Sequence, residues 1–282
     1  MTEVSRKDQV VRFGPGLPTV LVGERINPTG RKRFGEALRA GDLSTVRTEA
    51  LRQVEAGADL LDVNVGAGGL DEPATLVAAV ELVMGCVDVP LCIDSSDPAA
   101  LAAGLRAYEG KALVNSVTAE DASLAAILPL VAEHGAAVIA LPHDEHGIPS
   151  DPSERVAMAA KILERAGELG IPKEDVVVDG LCMPVGAEPQ AAERALETLR
   201  RARVELGVAT TAGASNISFG LPDRAAINLA FLAMAIGVGV SAPITDVLSP
   251  GLRRLCRASD VLTATDTRSR RYVADYRRFP PE

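Results

Sequence analysis

The chain has 282 residues, enough for one large domain or two small ones, and its 29 basic and 38 acidic side chains leave a net charge of −9. Hydrophobic residues at 47% and charged residues at 24% match an ordinary globular protein and argue against disorder over most of the chain, while the acidic surplus argues against a reader of nucleic-acid backbones. Aromatic residues are only 3%, with no Trp, three Tyr and five Phe, so the core has to be filled by Ala, Val, Leu and Ile.

Residues 1–18 carry charges and no apolar core, so they read as an extension and not as a secretory signal. The first strand is predicted at residues 19–24, after which Val46, Ala50, Leu51 and Val54 recur at helical spacing. A strand at 60–65 leads to a helix at 73–86, and a strand at 91–94 leads to a helix at 98–106. A strand at 112–116 precedes Leu124, Ile127, Leu128 and Val131, and a strand at 137–142 precedes Val156, Ala159, Ala160 and Leu163, both sets again at helical spacing. Strands at 176–180, 209–217 and 243–247 alternate with helices at 189–203, 223–238 and 250–262. Arg268, Arg270, Arg271, Arg277 and Arg278 mark residues 266–282 as a final surface helix with a solvated face.

Local signals agree with these boundaries. Asp97-Pro98, Asp151-Pro152 and Ser249-Pro250 place a capping side chain before a proline at a helix start. Gly57, Gly135, Gly170 and Gly207 read as left-handed helix ends. Eight strand–helix units in one chain predict a (β/α)8 TIM barrel, for which about 250 residues is typical. The rival is an open doubly wound sheet, but no GxGxxG follows the first strand. No linker rich in Gly, Ser or Pro divides the chain, so residues 1–282 read as a single domain. No apolar stretch approaches the ~20 residues needed to cross a bilayer. The longest, at 227–240, is interrupted by Asn228 and reads as a buried helix. Cys86, Cys92, Cys182 and Cys256 show no CxxC spacing, which fits free thiols in a reducing cytoplasm better than a zinc site.

In a barrel the chemistry sits at the C-terminal ends of the strands. Here those ends carry Glu24-Arg25-Ile26-Asn27, Asp62-Val63-Asn64, Asp94-Ser95-Ser96, Asn115-Ser116, Asp179, Ser215-Asn216 and Thr245-Asp246. One Asp or Asn at such a place is an ordinary helix cap. Asp62, Asn64, Asp94, Asn115, Asp179 and Asn216 together form a ring of carboxylates and amides, several of them inside the apolar run where no cap would lie. Such a ring suits a flat ligand rich in N–H and C=O groups, a pterin or a purine, because carboxylates accept paired N–H donors and Asn both donates and accepts. The fifth strand ends in His143-Asp144-Glu145-His146, which has metal-ligand residue types but reads first as a polar loop. Gly66-Ala67-Gly68-Gly69 would let backbone approach a ligand. Arg25, Arg31, Lys32 and Arg33, after the first strand, suit a carboxylate tail, an acidic partner or plain solvent. There is no Gly-x-Ser-x-Gly elbow and no P-loop.

Taken in order, GERINPTGRKRFGEALRAGD (23–42), QVEAGADLLDVNVG (53–66), CIDSS (92–96), VNS (114–116), VVDG (177–180) and GASNISFGLPDRAAIN (213–228) resemble a pterin-binding methyltransferase. The family includes methyltetrahydrofolate:corrinoid methyltransferases and the folate module of cobalamin-dependent methionine synthase. The resemblance implies a pterin-binding TIM barrel that moves a methyl group between nitrogen 5 of tetrahydrofolate and a cobalt. It implies that Asp94, Asn115 and Asp179 hydrogen-bond the pterin ring and that Asn216 approaches nitrogen 5, making Asn216 and Asp94 the candidate catalytic residues. Glu24 and Asn27 match the family's first-strand motif, Asp62 and Asn64 its second, and Ser218 belongs to the Asn216 motif, so all join the pterin-binding set. Methyltetrahydrofolate or tetrahydrofolate is then substrate, and the barrel holds no metal. No Asp-x-His-x-x-Gly segment is present, so a separate corrinoid protein supplies the cobalt. The resemblance also implies a homodimer, acting with neither nucleic acid nor membrane. A dihydropteroate synthase-like enzyme and a non-catalytic folate-binding module are the alternatives. The first would carry Asn-Val-Thr-Pro-Asp-Ser-Phe and Gly-Gly-Glu-Ser segments where this chain has Glu24–Gly30 and Val65–Gly68.

Overall fold

Two strands precede the predicted series. In the computed structural model, which describes residues 1–279, β1 (Thr2–Arg6) and β2 (Gln9–Phe13) form an antiparallel hairpin. The alternation in Thr2-Glu3-Val4-Ser5-Arg6 puts every second side chain inward, a period-2 pattern that also exists in the sequence. Ser5 pairs with Lys111 and the Tyr108 hydroxyl donates to the Ser5 carbonyl at 3.0 Å, so the hairpin closes the N-terminal end of the barrel. Val4 and Phe13 are fully buried there, each contributing roughly 1.5–3 kcal/mol, so residues 1–18 are a plug and not a loose extension.

Eight parallel strands follow: β3 (Val22–Ile26), β4 (Leu60–Asn64), β5 (Leu91–Asp94), β6 (Leu113–Thr118), β7 (Ala137–Leu141), β8 (Val176–Asp179), β9 (Ala209–Thr211) and β10 (Ile244–Thr245). They pair in chain order, with β10 returning to β3. The gap between β9 and β10 is bridged by Gly213 with Ile244 and by the Ser241 N–H donating to the Thr210 carbonyl at 2.9 Å, which nearly closes a (β/α)8 barrel. Around it lie α1 (Lys32–Arg39), α2 (Ser44–Glu55), α3 (Glu72–Cys86), α4 (Pro98–Ala107), α5 (Asp121–His134), α6 (Pro152–Glu168), α7 (Ala191–Arg201), α8 (Arg224–Val238), α9 (Leu252–Leu262) and α10 (Arg270–Arg278).

The helix signals are mostly realised. Asp97 and Asp151 accept from the Ala99 and Ser153 N–H groups at 2.9 and 2.8 Å, as N-caps do. Gly57, Gly135, Gly170 and Gly207 all have positive φ. Ser249-Pro250 is an exception: α9 starts two residues past the proline because the Ser249 N–H turns back to the Asp246 carbonyl and Gly251 carries the left-handed entry. The predicted strand 209–217 is also shortened. After Thr211 the small residues Ala212-Gly213-Ala214 have little β preference, and residues Ala214–Ser218 form a 3-10 turn. The helix α8 is buried on one face only, leaving Met234 exposed. The tail arginines are not all solvated, since Arg271 bonds both Asp59 oxygens at 3.0 and 3.1 Å. Residues 280–282 of the predicted tail lie outside the described residues.

Alternate strand residues face the two cores. Val22, Leu60, Cys92, Leu113, Ala137, Val177 and Ala209 fill the barrel interior together with Val4 and Phe13 of the hairpin. Leu61, Ile93, Val114, Val138 and Val178 face the helices. Phe13 is the sole ring in the inner cluster, so the small-residue core read from composition is what the barrel contains. Among the described residues, no helix is long and apolar enough to cross a membrane.

Candidate functional site

The polar residues at the strand ends converge on one cavity of about 610 Å3 at the C-terminal mouth. Glu24 and Asn27 enter from β3 and the residue after it, Asp62 from β4, Asp94 from β5, Asn115 from β6, Asp179 from β8 and Asn216 from the 3-10 turn after β9. Register sets their depth. Asp94 lies level with Asn64 and Asn115, and Asp62 lies level with Cys92, two residues deeper. Asn115 reaches down, its Nδ2 donating to Asp62 Oδ1 at 3.1 Å. A register shift between Asn115 and Val117 marks a bulge where β6 meets β7, a device that re-aims a side chain.

Asn64 and Ser218 do not line the cavity. The Asn64 side-chain oxygen takes the Gly66 N–H at 2.8 Å and so holds the turn into the glycine loop. Ser218 is fully buried, donating to the Ser215 carbonyl at 3.3 Å and accepting from Arg224 Nε at 3.0 Å. It props the turn that presents Asn216. The glycine loop at 66–69 also stays out of the cavity wall, and the His143–His146 loop ends in an exposed His146.

The electrostatics single out the carboxyl groups. Burial pushes Glu24 up to about 7, helped by Asp246 and Asp62 and opposed by Ser215 and Arg25. Burial raises Asp62, against bonds from Asn115, Cys92 and Asp94. Burial and then the Asp62 charge hold Asp94 well above the usual carboxylate range, against a bond from Asn64. The charge of Asp62 opposes ionisation of Asp94, since two neighbouring buried like charges resist ionising together. Burial pushes Asp179 up to about 6, against the Leu181 N–H that it accepts at 2.6 Å and the more distant charge of Arg155. Among the described residues, none of these four has a cation within 4.0 Å.

The arginines of the mouth are engaged elsewhere. Arg25 lies 3.4 Å from Asp246 and 3.6 Å from Glu49, and Arg31 lies 2.6 Å from Glu49. Arg224 bonds the Ser215 carbonyl at 2.7 Å and sits over the Phe219 ring. Gln53 accepts the Arg25 N–H at 2.9 Å and packs so close to Gly23 that a Cβ there would strike its Oε1. Glu49 and Gln53 are buried and escaped the sequence reading. Their signal was present: on α2 they share the buried face of Val46 and Ala50. Leu181, Cys182, Met183, Leu141 and Arg224 also line the cavity and were not picked out. Leu141 ends β7 and Arg224 opens α8, while Leu181, Cys182 and Met183 lie in the loop after β8, which the buried Arg155 holds by donating to the Gly180 and Leu181 carbonyls at 3.2 and 3.3 Å.

A cavity walled by cation-free carboxyls and amides is made to receive N–H and C=O groups from a ligand. The sequence profile of the pterin-binding enzymes matches residues 23–246, which span all eight barrel strands up to β10. The chain belongs to the pterin-binding enzyme family. Among its relatives is a methylcorrinoid:tetrahydrofolate methyltransferase of Eubacterium limosum, 29% identical over 266 residues that cover 92% of this chain and 96% of that one. Another is the methionine synthase of Mycobacterium tuberculosis, 34% identical over 81% of this chain. This pterin-binding barrel spans only 20% of that longer protein. A dihydropteroate synthase from Xanthomonas albilineans in complex with 7,8-dihydropteroate shares the fold, with a TM-score of 0.67 at 20% identity over 94% of this chain and 99% of that one.

Proposed function

We propose that this pterin-binding enzyme is a single-domain methyltransferase that moves a methyl group between nitrogen 5 of methyltetrahydrofolate and the cobalt of a corrinoid held by a separate protein. The observation that carries this reading is the placement of Asn216 in a cavity whose four carboxyl groups lack cation partners. The names of the full-length relative and of the methionine synthase support it.

In this reading Asp94, Asn115 and Asp179 grip the pterin ring, with Asp62 beneath them ordering Asn115. The 2-aminopyrimidine edge donates to the carboxylates, and the ring carbonyl accepts from Asn115. Buried polar groups left unpaired by a wrong ligand make the selection strong. Methyl transfer then needs positive charge on nitrogen 5. A neutral tertiary amine would leave as an amide-like anion, whereas the protonated nitrogen keeps the electron pair of the broken C–N bond and leaves neutral. The Asn216 side-chain oxygen accepts from that N–H and stabilises the charge, an effect worth about 3–4 kcal/mol for one well-placed group. Reduced corrinoid supplies the nucleophile. The remaining contribution is orientation of the bound pterin toward the cobalt.

The deciding experiment mixes the chain, methyltetrahydrofolate and a reduced corrinoid protein and follows the corrinoid spectrum. Conversion to the methylated form is expected. No conversion, with product formed instead from p-aminobenzoate and a pterin pyrophosphate, would assign it to the dihydropteroate synthase reaction. Tight folate binding with neither reaction would make it a binding module. The same reading has it act in the cytoplasm as a homodimer, which sizing with light scattering tests.

A further inference from the structure

Arg155 is the one charged side chain in the buried stripe of α6, which continues through Ala159, Ile162 and Ala166. It is only 2% exposed, lies outside the wall of the pterin cavity and, among the described residues, has no acidic group within 4.0 Å. Its donors reach backbone instead. Nε donates to the Pro149 carbonyl at 2.7 Å, in the loop after β7, and Nη1 to the Gly180 and Leu181 carbonyls, in the loop after β8. A guanidinium keeps its charge when buried, and without a carboxylate partner its desolvation is costly. An aliphatic side chain would suit the stripe better, so the charge asks for a use beyond folding. That use lies at Asp179, which ends β8 and lines the cavity. Asp179 Oδ1 takes the Leu181 N–H at 2.6 Å while Arg155 takes the Leu181 carbonyl, so one turn is held from both sides. Leu181 has a φ of 53°, a left-handed conformation that side chains rarely adopt, and it lines the cavity from there.

We infer that Arg155 is a positioning residue for Asp179: from behind the cavity wall its guanidinium locks the turn that carries the carboxyl and supplies the positive charge that keeps it an acceptor for the ligand's N–H groups. The inference rests on the folate reading above, in which ionised Asp179 accepts from the pterin edge. Burial pushes Asp179 up, and the Leu181 N–H and then the Arg155 charge pull it back. The influence is mutual, since the Asp179 charge supports the Arg155 cation against burial and Arg194. The other groups around Asp179 are Cys182 in its own loop, His143 in the neighbouring loop after β7, Arg194 of α7 with its partner Glu188, Arg224 at the start of α8, and Glu24, Asp62 and Asp94 across the cavity. Among them Arg155 is the cation whose charge reaches Asp179.

The test measures methyltetrahydrofolate affinity by calorimetry between pH 5 and pH 8 in the native chain, in Arg155→Gln and in Arg155→Lys. Both substitutions break the fork onto the two loops, so both are expected to lower the melting temperature. Only glutamine removes the charge. It is expected to move the acid limb of the affinity up by about one pH unit, which makes binding roughly 5-fold weaker than native at pH 6 and less than about 2-fold weaker at pH 8. Lysine keeps the charge and is expected to hold the limb near its native position. A glutamine variant with the native acid limb, or a lysine variant that moves the limb as far as glutamine does, overturns the inference and leaves Arg155 a clamp of the fold. So does a shift by glutamine that persists in an Asp179→Asn background, because another carboxyl would then carry it. If neither variant folds, Arg155 is a structural residue and the inference falls. A native chain that binds no folate at any pH counts against the pterin reading itself and is distinguishable from all of these.

Discussion

The two ends of this barrel partner their buried polar side chains differently. At the N-terminal end the charges are engaged. Arg6 donates to the Val87 and Met84 carbonyls, Lys111 meets both Asp175 oxygens at 2.7 Å, and Asp260 takes the Thr19 N–H and O–H at 3.0 and 2.7 Å. At the C-terminal end Glu24, Asp62, Asp94 and Asp179 share a cavity with no cation on any of them, and burial raises all four. A buried charge met by an opposite charge or by several hydrogen bonds contributes to folding, whereas a buried carboxyl without a cation carries a desolvation cost that a ligand offsets. The difference teaches that the hairpin end is built for stability and the mouth for recognition. It also says which substitutions separate the two.

The largest effect is expected at Asn216. Its replacement by Ala removes one group positioned at developing charge, for which losses of roughly 100- to 1,000-fold in turnover are usual. Melting temperature is expected to stay put, because Asn216 belongs to the mouth. A variant with full turnover would remove Asn216 from the mechanism, and one that merely unfolds would move it to the stability class.

Asp94→Asn comes next. It keeps the shape but loses charge-assisted acceptance, so folate affinity is expected to fall about 10- to 100-fold by calorimetry. The apo protein is expected to melt no lower, since a neutral amide replaces a desolvated carboxyl beside Asp62. Arg6→Ala is the mirror case. It strands the Val87 and Met84 carbonyls in a buried setting, costing about 1–3 kcal/mol in denaturant melts, while folate affinity of the folded protein is unchanged. If Arg6→Ala weakened folate binding as much as Asp94→Asn does, the division between the two ends would fail.

Much of this division is legible in the sequence. The eight strands, their alternation with helices and the Asp or Asn at strand ends depend on short-range signals, and the barrel turns those signals into a ring because its strands pair in chain order. What escaped depends on long-range contacts. Glu49 and Gln53 sit on the buried face of α2 and look like errors in its apolar stripe until Arg25 and Arg31 reach them. The hairpin was hidden because five-residue strands carry weak signals and its partner Lys111 is about a hundred residues away. Asn64 stays out of the cavity wall for a physical reason. Its register matches Asp94, but the turn at Gly66 claims its oxygen, which no strand-end rule reveals.

The smallest expected effect is a pH dependence, and it divides the two ends most finely. Glu24 is raised from 4.5 to about 7 and Asp179 from 3.8 to about 6, both chiefly by burial. The folded chain therefore holds protons on these groups that the unfolded chain releases. Their contribution to stability is fully present below the unfolded values, near pH 4, and is lost as pH rises through about 6 to 7. Apo melting temperature is expected to fall across that window, and Glu24→Gln and Asp179→Asn should each flatten the decline. Asp260 at the opposite end is also raised by burial, so it contributes a decline of the same sign. Bound folate separates the two contributions. Its N–H donors favour the ionised carboxyls of the mouth and so oppose their share of the decline, while Asp260, enclosed by Thr19 and outside the cavity, keeps its own. Melts from pH 4 to pH 8 with and without saturating folate would show a slope reduced by ligand but not abolished, and an unchanged slope would mean that the raised carboxyls of the mouth do not meet the ligand.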